Sequence, residues 1–349
     1  MSLVQPTPPP DEKLPKLTLA EIFPVVPKKA SLTKSGLLWP GLVTGIVGCF
    51  LFYAKQGTGL YLKVVAYYLI FMVVSILYLT SGTHRRLFSL IYAAAVTVFI
   101  ISAQEILDAF VAVFKTVPNL QLPKVKNFLP NFSYYFVVAG LMEELIKAVP
   151  ALIGLVLGLL IVSPRNVFTR LLDRISVRRP IDGVLMGIAA GGSFTLYETL
   201  YKFIPAAIAL RKQMIENSTI AQVGKLDAAT AKVFMQLSQF AAEKAGVSEA
   251  FFLLIPRVLA SIAGHMSYAA LFGYFIGLAA LRRSKIALLL AIGWLLSAAL
   301  HGSWDASKNG LLLALIATMS FLAFLVYFLK AKSLAQEEIA APAPKPASI

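Results

Sequence analysis

Two adjacent acids and a lysine, Glu143, Glu144 and Lys147, stand inside an apolar run from Phe132 to Val162. A charged side chain at membrane depth costs at least about 2.5 kcal/mol, so such residues mark function by default. On a helix Lys147 follows Glu143 by four residues and Glu144 by three, and can pair with either. One self-neutralised pair that fixes helix packing accounts for the lysine and one glutamate, leaving the other carboxylate without a local partner. A second apolar run opens with Asp182-Gly183, passes Gly187, Gly191 and Gly192, and carries Phe194, Glu198 and, about one turn on, Tyr201. A third holds Arg257, His265 and Tyr268, and a fourth ends in His301-Gly302-Ser303-Trp304-Asp305, where the aspartate can orient the imidazole. Each has a plain structural reading: Glu198 held by a tyrosine hydroxyl, a histidine satisfied in the core, or Trp304 and Asp305 marking the membrane interface. Those readings weaken together, because His265 and His301, two of the chain's 3 histidines, share such runs with the glutamates.

Carboxylates gathered away from water cannot all be ionised at once, so one can take a proton from a water while another keeps its own. An imidazole or lysine beside them can stabilise the oxyanion of a tetrahedral intermediate. That combination suits hydrolysis of a peptide bond in a water-filled cavity within the membrane. His265, His301, Glu198 and Glu144 are also ligand types that hold a divalent metal such as zinc, which activates the water itself. Glutamate-dependent and metal-dependent chemistry are both open at this level. A proton or cation relay in a transporter is the leading alternative, and a catalytically silent membrane scaffold is a third. The chain shows no internal repeat and no pair of interrupted helices in matching halves, as many transporters do. It also lacks a nucleotide-binding loop, Gly-x-Ser-x-Gly, an intramembrane Gly-Asp pair of aspartyl type and His-Glu-x-x-His.

Such groups have to be positioned by helices that cross a bilayer. The 349-residue chain is 58% hydrophobic and 14% charged, with a mean hydropathy of +0.77, and several runs reach the ~20 apolar residues a spanning helix needs. The expected fold is an all-α polytopic transmembrane bundle of about eight spans. They run from Gly36 to Ala54, Leu60 to Leu79, Leu87 to Ala103, within Phe132 to Val162, Ile181 to Ala207, Phe251 to Leu281, Ile286 to Ser303 and Leu311 to Leu329. The fourth run is longer than one crossing requires. It reads as a tilted helix bent at Pro150, or as a short re-entrant helix followed by a span.

By regions, residues 1–35 form a Pro- and Lys-rich disordered tail and 36–131 the first three spans with an outer connection. Residues 132–310 form the core that carries the polar groups, 311–331 the last span, and 332–349 a second disordered tail. Within the core, 211–248 is a polar insertion whose Val223, Leu226, Val233, Phe234, Leu237 and Phe240 recur at near-helical spacing, predicting an amphipathic helix at the interface. The net charge of +15 comes from short basic segments flanking apolar runs, the pattern of membrane orientation and not of nucleic-acid binding. With eight spans those segments fall on one side, predicting cytoplasmic termini. One cysteine, Cys49, excludes an internal disulfide,. Glu143 lies about 11 residues into its run, His265 about 14 into its own, and Glu198 about 9 before the end of its own, so at ~1.5 Å per residue all fall in the outer half of the bilayer. His301, near the end of its run, joins them.

Taken in order, Glu143-Glu144-x-x-Lys147, Asp182-Gly183 to Phe194-x-x-x-Glu198, Arg257 to His265, and His301-x-x-Trp304-Asp305 resemble the PrsW family of intramembrane proteases, relatives of the Abi/CAAX prenyl endopeptidases. Tyr201 stands where many relatives keep an asparagine. The resemblance implies an integral protein of the bacterial inner membrane that cleaves a membrane-anchored protein, an anti-sigma factor in PrsW-type members, on its extracytoplasmic side. It implies Glu143, Glu144, Glu198 and His265 as the catalytic set. Glu144 is then expected as general base, Glu143 as the partner of Lys147, Glu198 as second acid, and His265 as the group that positions water or metal. His301 is the auxiliary and a candidate oxyanion donor, with Phe194, Tyr201, Arg257 and Asp305 in support.

Overall fold

A computed structural model describes residues 87–116, 118–123, 127–161, 166–223, 230–239, 245, 260 and 262–340, together with 70, 73, 74, 77, 78 and 81. The expected first span and most of the second, the Pro-rich start, Arg257, Leu226, Phe240 and the end of the C-terminal tail lie outside these residues. Among the described residues every regular element is a helix, and there is no strand. In order they form α1 (Leu87–Ser102), α2 (Gln104–Val111), α3 (Phe128–Tyr135), α4 (Met142–Leu160), α5 (Val167–Ile175), α6 (Pro180–Glu198), α7 (Ile204–Val223), α8 (Ser267–Leu281), α9 (Ile286–Ala306) and α10 (Gly310–Ala340).

α6 is apolar on every side and so belongs in an interior. Residues 180–195 are all buried in it, and α8, α1, α4 and α10 pack around it. Lipid is as apolar as the interior, so tight backbone approach, more than the hydrophobic effect, holds such helices together. Gly183 of α6 and Gly273 of α8 meet face to face, and a Cβ on either would overlap the other's carbonyl oxygen. The pairing is antiparallel: Gly187 lies on Ala269, and Gly191 lies on the backbone of His265.

Among the described residues, three helical stretches are long and apolar enough to cross a membrane: Ala263–Leu281, Arg283–Ala306 and Gly310–Gln336. A fourth arises if α1 and the helix that follows it, bent by 77°, are taken as one broken span. The chain turns sharply at Ala103, where the third expected span ends. The fourth run is helical from Phe128 to Leu160, and its irregularity is a π turn at Phe136–Leu141, while Pro150 sits inside an unbroken α4. The helix after Glu198 continues to Val223, well past the polar onset at Arg211. Within the insertion, residues 230–239 are helical, with Val233 and Leu237 exposed.

Candidate active site

Four helical elements deliver the polar groups. Glu143, Glu144 and Lys147 lie in the first two turns of α4, Glu198 ends α6, His265 precedes α8, and His301 and Asp305 lie near the end of α9. Three of these elements carry a π turn at the site. Phe136–Leu141 leads into the two glutamates, Thr199–Phe203 follows Glu198, and Ile262–Met266 contains His265 next to the non-helical Gly264. π turns disturb the backbone ladder and concentrate at functional sites because they re-aim side chains. At the first, the indole N–H of Trp294 on α9 donates to the carbonyl of Leu141 at 2.8 Å, tying the glutamate-bearing helix to the histidine-bearing one.

Lys147 is the hub. Its side chain is fully buried, and Nζ donates to Glu144 Oε1 at 2.6 Å and faces His265 Nδ1 at 2.9 Å. It sits 4.5 Å above the ring of Phe194, a cation–π contact strengthened by the absence of water. Glu143 Oε2 is 3.8 Å away and its side chain is 20% exposed, against none for Glu144. The expected pairing of Lys147 with Glu143 is therefore the weaker of two, and Glu144 holds the lysine. The register explains this: Glu144 faces the helix neighbours of α4, and Glu143, about 100° round the helix, is on the partly exposed side.

Glu144 Oε1 also meets His301 Nδ1 at 2.8 Å. A carboxylate only accepts, so Nδ1 carries a proton, and in the neutral ring Nε2 keeps its lone pair. His301 Nε2 lies 3.7 Å from Glu143 Oε2 and 3.5 Å from Asp305 Oδ2. The ring is held further by Tyr268, stacked on it with centroids 5.3 Å apart, and by His265, whose ring stands edge-on at 5.0 Å. Facing an ammonium, His265 Nδ1 acts as acceptor, and its Nε2 points to Glu198 Oε2 at 3.4 Å. Phe194 packs on the His265 ring at 5.3 Å. Glu198 also pairs with Lys202 at 3.5 Å.

One donor atom from each of Glu143, His265 and His301 lies within 4.8 Å of the others. Two imidazoles and a carboxylate form a known catalytic zinc set, and ligands of a tetrahedral ion at ~2.1 Å stand roughly 3.4 Å apart. The 3.7 Å between Glu143 Oε2 and His301 Nε2 is near that spacing. Glu143 Oε2 is buried without a hydrogen bond among the described residues, as expected of an atom whose partner is a ligand. The Glu144–His301 contact is the carboxylate–imidazole pairing that orients metal-bound histidines. The residues thus fit a divalent ion once His265 gives up its contact with Lys147 or with Glu198. The group that meets this spacing holds Glu143 beside the two histidines; Glu144 Oε1 is engaged by Lys147 and His301, while its Oε2 is, like Glu143 Oε2, buried without a hydrogen bond among the described residues.

The sequence-derived residues Glu143, Glu144, Lys147, Phe194, Glu198, His265, His301 and Asp305 converge here. Tyr201 does not touch the histidines; it is 63% exposed and packs on Tyr197 at 4.8 Å. Arg257 lies outside the described residues. Tyr268 and Trp294 were not singled out as site residues. Tyr268 sits about one turn after His265, which was the available signal; nothing in the sequence tied Trp294 to a carbonyl on another helix.

A family model described as PrsW family intramembrane metalloprotease matches residues 83–330, most of the chain, including every residue of the cluster. No curated protein and no solved structure matches.

Proposed function

Since the chain belongs to the PrsW family of intramembrane metalloproteases, we propose that it hydrolyses a peptide bond of a membrane-anchored protein at the cluster formed by Glu143, Glu198, His265 and His301. The observation that carries the reading is the meeting of Glu143, His265 and His301 around one point, with a buried glutamate–lysine pair behind them.

Glu143, His265 and His301 would hold a divalent ion such as zinc, which when bound supplies Lewis acidity toward the water and the scissile carbonyl. Glu144 keeps His301 in the tautomer that presents Nε2, and Lys147 offsets the charge that Glu144 brings into the interior. Glu198, beside His265 and partly exposed, takes the proton from the attacking water. The water oxygen forms its bond to the carbonyl carbon, and the same proton passes to the amide nitrogen as the C–N bond breaks. This reading moves the general base from Glu144 to Glu198, because Glu144 is fully buried with Oε1 held at 2.6 and 2.8 Å, whereas Glu198 is partly exposed and its contacts to Lys202 and His265 are longer, at 3.5 and 3.4 Å. Asp305, near His301 Nε2, is placed to orient the substrate side of the imidazole.

In the same reading the bundle has about eight spans with both termini cytoplasmic, and the site opens in the outer half of a bacterial inner membrane. The substrate class is then a single-span regulatory protein of anti-sigma-factor type. The amphipathic insertion 211–248 lies on that outer side. What supports these finer points is the one-sided placement of basic segments and the common depth of the polar residues.

The test is cleavage of a co-reconstituted single-span substrate by full-length protein, with bound metal measured on the same samples. Glu198→Gln should abolish cleavage with metal retained, and His265→Ala should abolish both. A chelator should remove activity, and zinc should restore it. Cleavage persisting in both variants would sink the proposal, as would a proton flux in sealed liposomes lost with Glu198→Gln but unaccompanied by cleavage.

A further inference from the structure

The short helix α5 is formed by its own ends rather than by burial. Asn166 caps it, its side chain accepting from Thr169 N at 2.8 Å while Asn166 N donates to Thr169 Oγ1 at 3.1 Å. Its inner side is tied down. Ile175 is buried, Leu172 packs on the main core, and Asp173 is held by Arg178 at 2.6 Å. Arg178 also donates to the carbonyl of Ile161 at the end of α4, and Val177 N donates to the carbonyl of Gly154 at 2.8 Å.

The outer side is different. Val167 is 77% exposed, Phe168 65% and Leu171 43%, and on a helical wheel they form one arc continuous with exposed Arg170 and Arg174,. Asp173 is engaged by Arg178, so it does not neutralise those two arginines.

α5 lies at one end of the bundle. It packs against α1 and α4, follows the C-terminus of α4, and precedes the start of α6. The antiparallel pairing of α6 with α8 brings Gly277 onto Arg179, so Arg282, Arg283 and Lys285 lie at the same end. The exposed apolar surface of α4, through Ile153, Val156 and Leu160, runs up to this end, as do Leu87 and Phe88 of α1. An apolar arc that continues a lipid-facing surface and is bordered by guanidinium groups matches the boundary between acyl chains and phosphates.

We propose that α5 is a lipid-docking helix: Val167, Phe168 and Leu171 insert at the acyl boundary while Arg170 and Arg174 bind the phosphates of anionic phospholipids. The helix connects the glutamate-bearing α4 to the glutamate-ending α6, so its docking fixes the cytoplasmic ends of both against one leaflet. The inference concerns a surface remote from the Glu/His cluster and does not depend on proteolysis.

Full-length protein carrying Cys49→Ser and Val167→Cys, labelled with a fluorophore, is reconstituted in phosphatidylcholine nanodiscs with and without phosphatidylglycerol. Lipids bearing a nitroxide near the headgroup should quench the label, aqueous iodide should not, and spin-labelled phosphatidylglycerol should outcompete spin-labelled phosphatidylcholine. Each basic residue near an anionic leaflet is worth a factor of about five, so Arg170→Gln with Arg174→Gln should reduce that preference roughly 25-fold. Inorganic phosphate should leave the preference unchanged, separating a headgroup site from a site for the free anion. Three results overturn the proposal: iodide quenching in both lipid mixtures, which would point to a soluble protein partner; loss of the preference on adding phosphate; or no response to the arginine substitutions. Both arginines are exposed, and unchanged tryptophan-monitored unfolding of the variant confirms that folding is not what is being read.

Discussion

The two adjacent glutamates should separate cleanly when their stability effects are measured. Glu144 and Lys147 have no side-chain exposure and pair at 2.6 Å, and removing one partner of such a buried pair costs roughly 3–5 kcal/mol because the other is left uncompensated. Glu143, partly exposed and 3.8 Å from the same ammonium, has a contact of the kind worth about 0–1 kcal/mol. Lys147→Met and Glu144→Gln should therefore each lower the unfolding midpoint by roughly 6–20 °C, at ~2–4 °C per kcal/mol. Glu143→Gln should move it by only a few degrees while abolishing cleavage. The double variant Lys147→Met with Glu144→Gln should be less destabilised than the sum of the singles, by about 1–3 kcal/mol. Intrinsic fluorescence of the purified protein in detergent reports the transition, since Trp294 and Trp304 lie on the helix that carries His301. If Glu143→Gln unfolded as readily as Glu144→Gln, or if the double variant were additive within ~0.5 kcal/mol, the hub assigned to Lys147 would be refuted.

Two further outcomes follow from the geometry. Tyr268→Leu should lower metal affinity and kcat by roughly tenfold, because stacking worth about 0.5–1.5 kcal/mol orients the His301 ring. Tyr268→Phe should restore both, which a role of the hydroxyl would not allow; metal titration and initial rates distinguish the two. Gly191→Ala should destabilise by about 1–3 kcal/mol through overpacking and depress cleavage, since the new Cβ would overlap the carbonyl of His265. Gly192→Ala, whose nearest neighbours are the side-chain tips of Ile70, Val74 and Met266, should be tolerated in the same unfolding and cleavage assays.

Much of the site was legible in the sequence because the bilayer is an unforgiving solvent. A carboxylate or imidazole in an apolar run needs a reason to be there, which is why Glu143, Glu144, Lys147, Glu198, His265 and His301 could be picked out one run at a time. Their spacing along the runs led to the expectation that they meet, and they do. Local rules also anticipated the glycine-lined face of α6, since small residues are what close helix approach in lipid requires.

Distances between helices settled the rest. Residue spacing allowed Lys147 to reach either glutamate, and only the arrival of His265 and His301 from α8 and α9 decides that Glu144 turns inward while Glu143 joins the metal-fitting group. The irregularity in the fourth run is a π turn at Phe136–Leu141, where the Leu141 carbonyl finds its donor on Trp294, more than 150 residues away in the chain. By itself, then, the sequence determined an all-helical membrane protein with acids and imidazoles inside its apolar runs, since burial cost depends on residue type and helix period alone. Which carboxylate is fully buried against Lys147 and which is partly exposed beside the histidines was decided by tertiary structure, because that depends on which neighbour supplies the opposing charge, and the neighbours come from distant helices.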